Sequence, residues 1–316
     1  LDTYLPKLVR AGQRVAICDQ LEDPKQAKGL VKRGITELVT PGVSLHDNVL
    51  ERRSNNYLAA VHFGRQQQAG ISFLDISTGE FLVAQGDMGY LGKLLQNFAP
   101  SEVLLCKNSR RDFETAFGPD FCTYALDEWV FGGDYAHETL TRHFKTTSLK
   151  GFGVDNLNDG IIAAGCILHY LAETKHNDIG HINGIGRLEE DKYVWLDRFT
   201  VRNLELLSAQ HAAGVPLIDV LDQTLTPMGA RLLRKWVVLP LKEPAQIQRR
   251  LDTVQALHEQ SELLEAIRDQ LRQINDLERL ISKVAVRRVN PRELLQLSRA
   301  LEALAPMREL LHATEV

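Results

Sequence analysis

Acidic side chains beside strand-like segments are the residues of this sequence that could support metal-dependent chemistry. Asp75 ends an apolar segment, where a metal-dependent nuclease could use its carboxylate as a ligand. A two-metal nuclease needs several acidic groups that converge on one pair of ions. Four further candidates lie in no recognisable motif: Glu80, Glu102, Asp120 and Asp127. The alternative interpretation is that Asp75 ends a strand and that its carboxylate caps the turn at residues 77–79.

Other catalytic signatures are absent from the sequence. It contains no GxxxxGK[ST], HExxH, GxSxG or GxGxxG motif, and no two histidines show ligand spacing on one helix face. The four cysteines, Cys18, Cys106, Cys122 and Cys166, are widely spaced and form no CxxC pair. We therefore assign no catalytic residue, no cofactor-binding residue and no metal ligand. We expect reduced, mostly buried thiols in a cytoplasmic protein.

The segment at residues 222–241 is the candidate for contact with nucleic acid, because it carries Arg231, Arg234 and Lys235. A recognition helix presents polar, base-reading side chains from its amino end. Here the amino end supplies proline, methionine and glycine instead. Five apolar residues share one face: Met228, Leu232, Leu233, Trp236 and Val237. We therefore predict a structural helix that starts at an N-cap, Thr226, buries Trp236 and exposes most of its basic residues.

Length and charge limit the class of protein. A chain of 316 residues indicates two or three domains. Lysine and arginine number seven against five acidic residues in 1–40, twelve against seventeen in 41–187, and eighteen against nineteen in 188–316. No segment has the strongly basic balance of an independent DNA-binding module.

No apolar run approaches the roughly 20 residues of a membrane span, so we expect no membrane association. The chain begins with leucine and stops inside a helical pattern, so we expect a piece of a longer protein.

Hydrophobic periodicity predicts a multi-domain chain, α/β first and all-α afterwards. In residues 1–40 we predict the end of a helix at 4–9, strands at 14–20 and 34–39, and a helix start at 23–26. Residues 41–55 are polar and rich in turn formers, which is typical of a linker. From residue 193 onward helices are predicted at 197–209, 227–238, 246–271, 276–287 and 292–304, with a capping box that pairs Asn290 with Glu293.

Residues 56–177 show the pattern of a mixed sheet. Strands at 57–63, 70–76 and 80–84 are predicted to form an antiparallel meander. A helix at 90–98, a strand at 102–106, a helix at 111–117 and a strand at 121–124 follow, and an apolar helix at 161–174 closes the domain. A meander followed by alternating helices and strands is the order of a ribonuclease-H-like sheet.

Several stretches together resemble the MutS family of DNA mismatch repair proteins. They are GQRVAICDQLEDP (12–24), VTPG (39–42), FLDISTGEF (73–81), GFGV (151–154), AAGCILHYL (163–171), LDRFTVRNLEL (196–206) and DQTLTPMGARLLRKWVVLPL (222–241). They occur in the order of the family and cover nearly the whole chain.

This resemblance implies the end of a mismatch-binding domain at residues 1–40, a linker at 41–55, a non-catalytic, ribonuclease-H-like connector domain at 56–184, and the first part of a helical core and lever domain at 188–316. The Phe-x-Glu mismatch-reading motif and the phosphate loop of the family are absent from these residues. The chain is therefore expected not to be an enzyme by itself, whereas the full-length protein would be an ATPase that uses ATP and magnesium.

The resemblance also implies partners. The full-length protein would bind mismatched duplex DNA, form a homodimer and contact a MutL-type partner through the connector. We predict the partner surface on an exposed helix near residues 135–144, at Glu138, Arg142 and Lys145. The alternative function is that of a ribonuclease-H-like, metal-dependent nuclease or another DNA-processing enzyme.

Overall fold

The computed structural model describes residues 2–22, 29–211 and 213–313. Contacts between backbone positions divide the chain into two compact units. The first unit consists of Leu1–Glu51 and Asn56–Leu188, and the second consists of Arg52–Asn55 and Glu189–Val316. The chain is thus mixed α/β in its first unit and mainly helical in its second.

The amino-terminal part of the first unit is a helix followed by a hairpin. Helix α1 (Leu5–Arg10) precedes strands β1 (Val15–Gln20) and β2 (Arg33–Val39), which pair antiparallel. Their small core contains Leu5, Val9, Val39 and Val49. The helix start predicted at residues 23–26 lies outside the described residues. The predicted linker is partly packed, because residues 41–45 and 49–50 are buried while residues 47–48 and 51–53 are exposed.

A six-stranded mixed sheet forms the centre of the first unit. Its strands are β3 (Leu58–Phe63), β4 (Gln68–Asp75), β5 (Glu80–Asp87), β6 (Glu102–Cys106), β7 (Thr123–Leu126) and β8 (Gly186–Arg187). Strands β3, β4 and β5 form an antiparallel meander, as predicted. Strand β6 runs parallel to β3, β7 parallel to β6, and β8 parallel to β5. The spatial order is β7-β6-β3-β4-β5-β8.

Four helices accompany this sheet: α2 (Met88–Phe98), α3 (Arg110–Phe117), α4 (Gly133–Phe144) and α5 (Asn158–Glu173). Helices α2 and α5 pack against the strands, α4 packs against α5, and α3 contacts α2. Residues 69–75 of β4 are all buried, so both faces of this central strand are covered. A Cβ atom at Gly70 would lie 2.0 Å from the carbonyl carbon of Asp159. Glycine at this position therefore lets the start of α5 lie directly on the strand.

The second unit is built mainly from helices. They are α6 (Arg198–Asn203), α7 (Leu217–Leu221), α8 (Pro227–Val238), α9 (Pro244–Glu259), α10 (Ser261–Leu271), α11 (Leu277–Ala285) and α12 (Pro291–Ala313). Two predicted helices were too long. The first ends at Asn203, and the stretch at 246–271 is two helices because the backbone of Gln260 leaves the helical region, with φ −111° and ψ 71°.

The predicted capping box at the start of α12 is confirmed. The Glu293 carboxylate accepts from the Asn290 backbone amide at 2.8 Å, and the Asn290 side chain accepts from the Glu293 amide at 3.0 Å. The N-cap of α8 is confirmed as well, because Thr226 accepts from the amide of Gly229 at 3.1 Å.

The face assigned to helix α8 from the sequence was wrong. Trp236 is 41% exposed, and the guanidinium of Arg250 lies 3.7 Å from the centre of its ring. Arg231 is the buried residue, only 4% exposed, and its two terminal nitrogens each lie 2.7 Å from a carboxylate oxygen of Asp276. A second carboxylate, that of Glu278, accepts at 2.5 Å. Pairing of both terminal nitrogens with carboxylates offsets the cost of burying the guanidinium.

The four cysteines are free thiols. Cys166 is buried, Cys106 is partly buried, and Cys18 and Cys122 are exposed. The expectation of mostly buried thiols therefore holds for Cys166 alone. No helix among residues 2–22, 29–211 and 213–313 combines the length and the apolar character needed to cross a membrane.

Replacement of Arg231 should destabilise the helical unit more than replacement of Trp236. We expect Arg231→Ala to lower the free energy of unfolding by about 2–4 kcal/mol, because the largely buried carboxylate of Asp276 loses its bidentate partner. Trp236→Ala should cost about 1–2 kcal/mol, because its ring is partly in water already. Urea unfolding followed by far-ultraviolet circular dichroism compares the two. A larger loss for Trp236→Ala would contradict the observed orientation of α8.

Candidate functional site

A buried carboxylate joins the amino-terminal segment to the central sheet. Glu102 lies at the start of β6 and is 1% exposed. Its Oε2 accepts from the hydroxyl of Thr40 at 2.5 Å and from the backbone amide of Gly42 at 3.0 Å. Its Oε1 accepts from the hydroxyl of Tyr170, on α5, at 2.7 Å. Both carboxylate oxygens thus have donors, which is the condition under which burial of such a group is tolerated.

Gly42 is required by the close approach of the backbone to this site. A Cβ atom there would lie 2.8 Å from Cβ of Glu102 and 2.8 Å from Cδ1 of Leu58. Any side chain would push the amide away from the carboxylate. The VTPG stretch at 39–42 therefore has a local physical explanation.

An arginine–tyrosine stack extends the Glu102 site. The guanidinium of Arg14 lies 3.8 Å from the ring centre of Tyr124 and 5.5 Å from that of Tyr170. These distances are typical of cation–π contacts. Burial, together with the neighbouring Glu102 carboxylate, raises the pKa of the Tyr170 hydroxyl. Tyr170 therefore remains a hydrogen-bond donor throughout the neutral range.

A second buried carboxylate fastens strand β2. Glu37 is buried, and its two oxygens each lie 3.2 Å from a ring nitrogen, Nε2 of His46 and Nε2 of His176. The other ring nitrogen of His176 lies 3.1 Å from the hydroxyl of Thr174. The carbonyl of Thr174 also accepts from the Leu38 amide at 3.1 Å. Strand β2 is thus tied to the segment that follows α5 by side-chain and backbone hydrogen bonds.

Asp75 has a structural role. Its Oδ1 accepts from the backbone amide of Ser77 at 2.9 Å and from the hydroxyl of Ser77 at 2.6 Å. Its Oδ2 accepts from the amide of Asn56 at 3.1 Å. The interpretation as a turn cap is therefore confirmed.

Among the described residues the other acidic candidates form no metal-binding group with Asp75, although Glu80 lies opposite Asp75 in the pairing of β4 with β5. Glu80 accepts from the Tyr57 hydroxyl at 2.5 Å, Glu102 belongs to the buried cluster, and Asp127 pairs with Lys107. Within the part of the chain that the structure describes, no group of three His, Cys, Asp or Glu residues is arranged to hold a metal ion.

The three residues predicted as a partner surface lie at the carboxyl-terminal half of α4. Glu138 and Arg142 are exposed and form an ion pair one helical turn apart. Lys145 caps the helix in the left-handed conformation, with φ 53°. The location of these three residues along one helix is compatible with partner binding. Their role as a partner surface stays a prediction.

Arginines in the helical unit hold a short strap, which we define as Arg52–Asn55. Arg231 donates to the carbonyl of Arg52 at 3.0 Å, and Arg279 donates to the carbonyl of Ser54 at 2.9 Å. Arg53 of the strap donates to Asp222 at 2.7 Å. The hydrogen bond from Arg53 lowers the pKa of Asp222 to about 2.

Sequence reasoning missed the strap and Glu37, and it considered Glu102 only as a candidate metal ligand. A weak signal existed for Arg231, because it interrupts an otherwise apolar part of α8 next to Ala230. Glu102 similarly starts the apolar strand EVLLC. Neither signal identifies a partner, since the partners of both residues lie dozens of positions away.

Comparison with known proteins gives one consistent result. Family models described as MutS domain I, MutS domain II and MutS domain III match residues 1–48, 56–183 and 199–316. The chain is 62% identical over 311 residues to the DNA mismatch repair protein MutS of Cytophaga hutchinsonii, which covers 98% of this chain and 36% of that relative. Proteins of the same name from Christiangramia forsetii and Bacteroides fragilis are 57% and 58% identical, again over 98% of this chain and 36% of each relative. The chain thus spans about a third of the length of these curated relatives.

Removal of the Tyr170 hydroxyl should weaken the first unit. We expect Tyr170→Phe to lower its free energy of unfolding by about 1–3 kcal/mol, because Oε1 of Glu102 loses its donor inside the protein. Tyr4→Phe is the matched control, since Tyr4 is 71% exposed. Thermal unfolding measures both variants. Equal stability of the two would show that the hydrogen bond to Glu102 makes no net contribution.

Acidification should destabilise the first unit through two partly buried histidines. Burial lowers the pKa of His143 and of His181 from 6.5, and their rings contact the carbonyl oxygens of Ile182 and Ile76 at 2.7 and 2.8 Å. Well above pH 6.5 the two histidines are neutral in the folded and in the unfolded chain, so this contribution to stability is fully present. As the pH falls below 6.5 the unfolded chain binds protons first, and the contribution is lost as the pH passes through the folded pKa values.

The measurement is urea unfolding between about pH 7.5 and about pH 5.5, a window in which histidine is the main titrating side chain. The double variant His143→Gln/His181→Gln keeps amide donors near the two carbonyls and should show a shallower pH dependence than the parent chain. If the free energy of unfolding of the double variant depended on pH as steeply as that of the parent chain, the two histidines would not be the source of the pH dependence.

Proposed function

This chain belongs to the MutS family of DNA mismatch repair proteins, and we propose that it couples two distant activities of a longer MutS protein. In that protein, residues 1–40 would end the mismatch-binding domain, residues 56–184 would form the connector, and residues 188–316 would form the first part of the helical core and levers. Mismatched DNA would be read at one end and ATP with magnesium would be bound at the other, outside this chain.

The observation that carries this proposal is the way the amino-terminal segment is fastened to the connector sheet. Glu102 and Glu37 are buried, and both accept hydrogen bonds that join the amino-terminal segment to the rest of the first unit. Separation would leave buried polar groups without partners, which is costly. The segment and the sheet should therefore move as one body, and rigid-body displacement is a common carrier of coupling between sites.

We further propose that the connector is ribonuclease-H-like and non-catalytic. The order β5-β4-β3-β6-β7, an antiparallel meander followed by parallel strands, supports this assignment. Asp75 is engaged in a turn rather than in a cluster of metal ligands. The three matching family models all describe MutS domains, so the alternative of a metal-dependent nuclease is not supported.

The remaining partners are proposals of the same kind. The full-length protein would form a homodimer on mismatched duplex DNA in the cytoplasm, and the connector would offer a surface to a MutL-type partner. Glu138, Arg142 and Lys145 are the residues we propose for that surface, because they are polar, contiguous and located on one exposed helix.

Coupling can be tested in a chimeric protein. The matching stretch of the Cytophaga hutchinsonii relative would be replaced by this chain, and ATP turnover would be measured with matched and with G·T mismatched duplex. We expect Tyr170→Phe in the chimera to keep its preference for G·T duplex but to reduce mismatch-dependent stimulation by about fivefold, the lower range of a typical coupling energy. Tyr4→Phe is again the control. Stimulation that survives intact would argue against the Glu102 site as a coupling element.

The partner surface predicts a charge-dependent interaction. Arg142→Glu together with Lys145→Glu should reduce capture of a MutL-type protein by the chimera about tenfold, because the surface loses two cations and gains two carboxylates. The exchanged pair Glu138→Arg/Arg142→Glu is the matched control, since it keeps the net charge and the intrahelical ion pair. Equal capture by the unmodified chimera and by both variants would show that the partner binds at another surface.

A further inference from the structure

An exposed tryptophan in the first unit is held in a fixed orientation. Trp129 lies in the short 3-10 helix Glu128–Phe131 and is 58% exposed. Its neighbours Val130 and Phe131 are buried, so the core of this turn is formed without it. The indole makes T-shaped contacts with Tyr135, at a centroid distance of 5.2 Å, and with His169, at 5.0 Å, with interplanar angles of 71° and 85°.

The rings that support Trp129 are fixed by their own contacts. The hydroxyl of Tyr135 and Nδ1 of His169 are 2.7 Å apart, within hydrogen-bond distance. Nε2 of His169 lies 3.3 Å from the carboxylate of Glu173, and no hydrogen bond joins the two groups. We define Trp129, Tyr135 and His169 as the Trp129 patch. A large aromatic surface held rigid before binding is typical of an interaction hot spot, because little conformational entropy remains to be lost.

Acidic residues lie next to the residues of the Trp129 patch along the chain, and one of them contacts the patch. Asp127 and Glu128 directly precede Trp129, Asp134 precedes Tyr135, and Glu173 contacts His169. All four are exposed, and Asp127 is paired with Lys107 at 2.5 Å. A π face beside carboxylates attracts cations, above all the planar guanidinium, which stacks and forms an ion pair at the same time.

Two guanidinium–aromatic stacks of this kind occur among the described residues. Arg250 lies 3.7 Å from the ring centre of Trp236, and Arg14 lies 3.8 Å from that of Tyr124. At Trp129 the chain supplies the aromatic face and the carboxylates, while no cation–π contact to Trp129 occurs among the described residues.

We propose that the Trp129 patch is a docking site for an arginine-bearing segment of a partner protein. The proposal rests on the proposed function of the connector as a partner surface, and it adds an aromatic anchor to it. Tyr135 and Glu138 are three positions apart on α4, so the patch adjoins the surface at Glu138, Arg142 and Lys145. Nucleic acid is disfavoured as the occupant because its phosphates would face the four carboxylates.

The first test uses the whole chain with its three tryptophans labelled with nitrogen-15. The probe is a short glycine peptide that contains two arginines, and the matched control peptide contains citrulline, which keeps the shape but not the charge. We expect a saturable shift of the Trp129 indole signal with the arginine peptide and at least a tenfold weaker response to the citrulline peptide. The signals of Trp195 and Trp236 are internal controls and should not move.

Variants separate the aromatic from the electrostatic contribution. The double variant Glu128→Gln/Glu173→Gln should weaken peptide binding several-fold, and Trp129→Phe should weaken it while the fold is kept. Failure of the arginine peptide to move the Trp129 signal would overturn the proposal. A response to a single-stranded oligonucleotide in place of the peptide, or a shift that depends only on the concentration of this chain, would overturn it in favour of nucleic acid or a second copy.

Capture of a MutL-type protein by the chimera distinguishes this proposal from the broader one. Loss of capture on charge reversal at Arg142 and Lys145, together with full capture by Trp129→Ala, would keep the proposed connector surface and reject the Trp129 anchor. Loss of capture with Trp129→Ala and with Trp129→Phe, in chimeras of unchanged thermal stability, is the expected result. Capture unaffected by every variant would reject both.

Discussion

The buried carboxylate of Glu102 is the constraint on which the first unit depends. A carboxylate removed from water must regain its hydrogen bonds inside the protein. Glu102 accepts from Thr40 and Gly42 on one side and from Tyr170 on the other. The stretch after β2 is thereby held against β6 and α5, and the space at Gly42 is too small for any side chain. Arg14 completes the arrangement by stacking on the tyrosine rings.

The same physical rule organises both units separately. Glu37 is buried between His46 and His176, and Arg231 is buried between acidic residues of the helical unit. Buried ion pairs contribute less net stability than their number suggests, because desolvation opposes the attraction. Their consequence is geometric, since these donors and acceptors meet only when the segments that carry them are correctly placed. A protein that must transmit displacement benefits from such arrangements, because a body with one packing moves without deforming.

The acidic residues considered as metal ligands and the proposed docking surfaces lie at different places on the connector. The acidic residues that could have formed a metal centre are engaged in a turn cap, a buried cluster and surface pairs. The exposed features are α4 with its ion pair and the rigid Trp129 patch with its carboxylates. The connector thus offers exposed surfaces on a well-packed body and no metal-binding group among its described residues.

The sequence by itself determined the elements whose causes are local. The meander strands, the Asx-type turn at Asp75, the N-cap at Thr226 and the capping box at Asn290 all depend on residues within a few positions of one another. Family membership could also be inferred from the sequence, because the stretches that resemble the family occur along the chain in the order of the family. Only the tertiary structure decided that Arg231 is buried while Trp236 is not, and that Glu102 meets Thr40, because these partners are separated by 45 and 62 residues. Hydrophobic periodicity assigns a charged side chain to water unless a partner is known, and a partner brought close by the fold leaves no local trace.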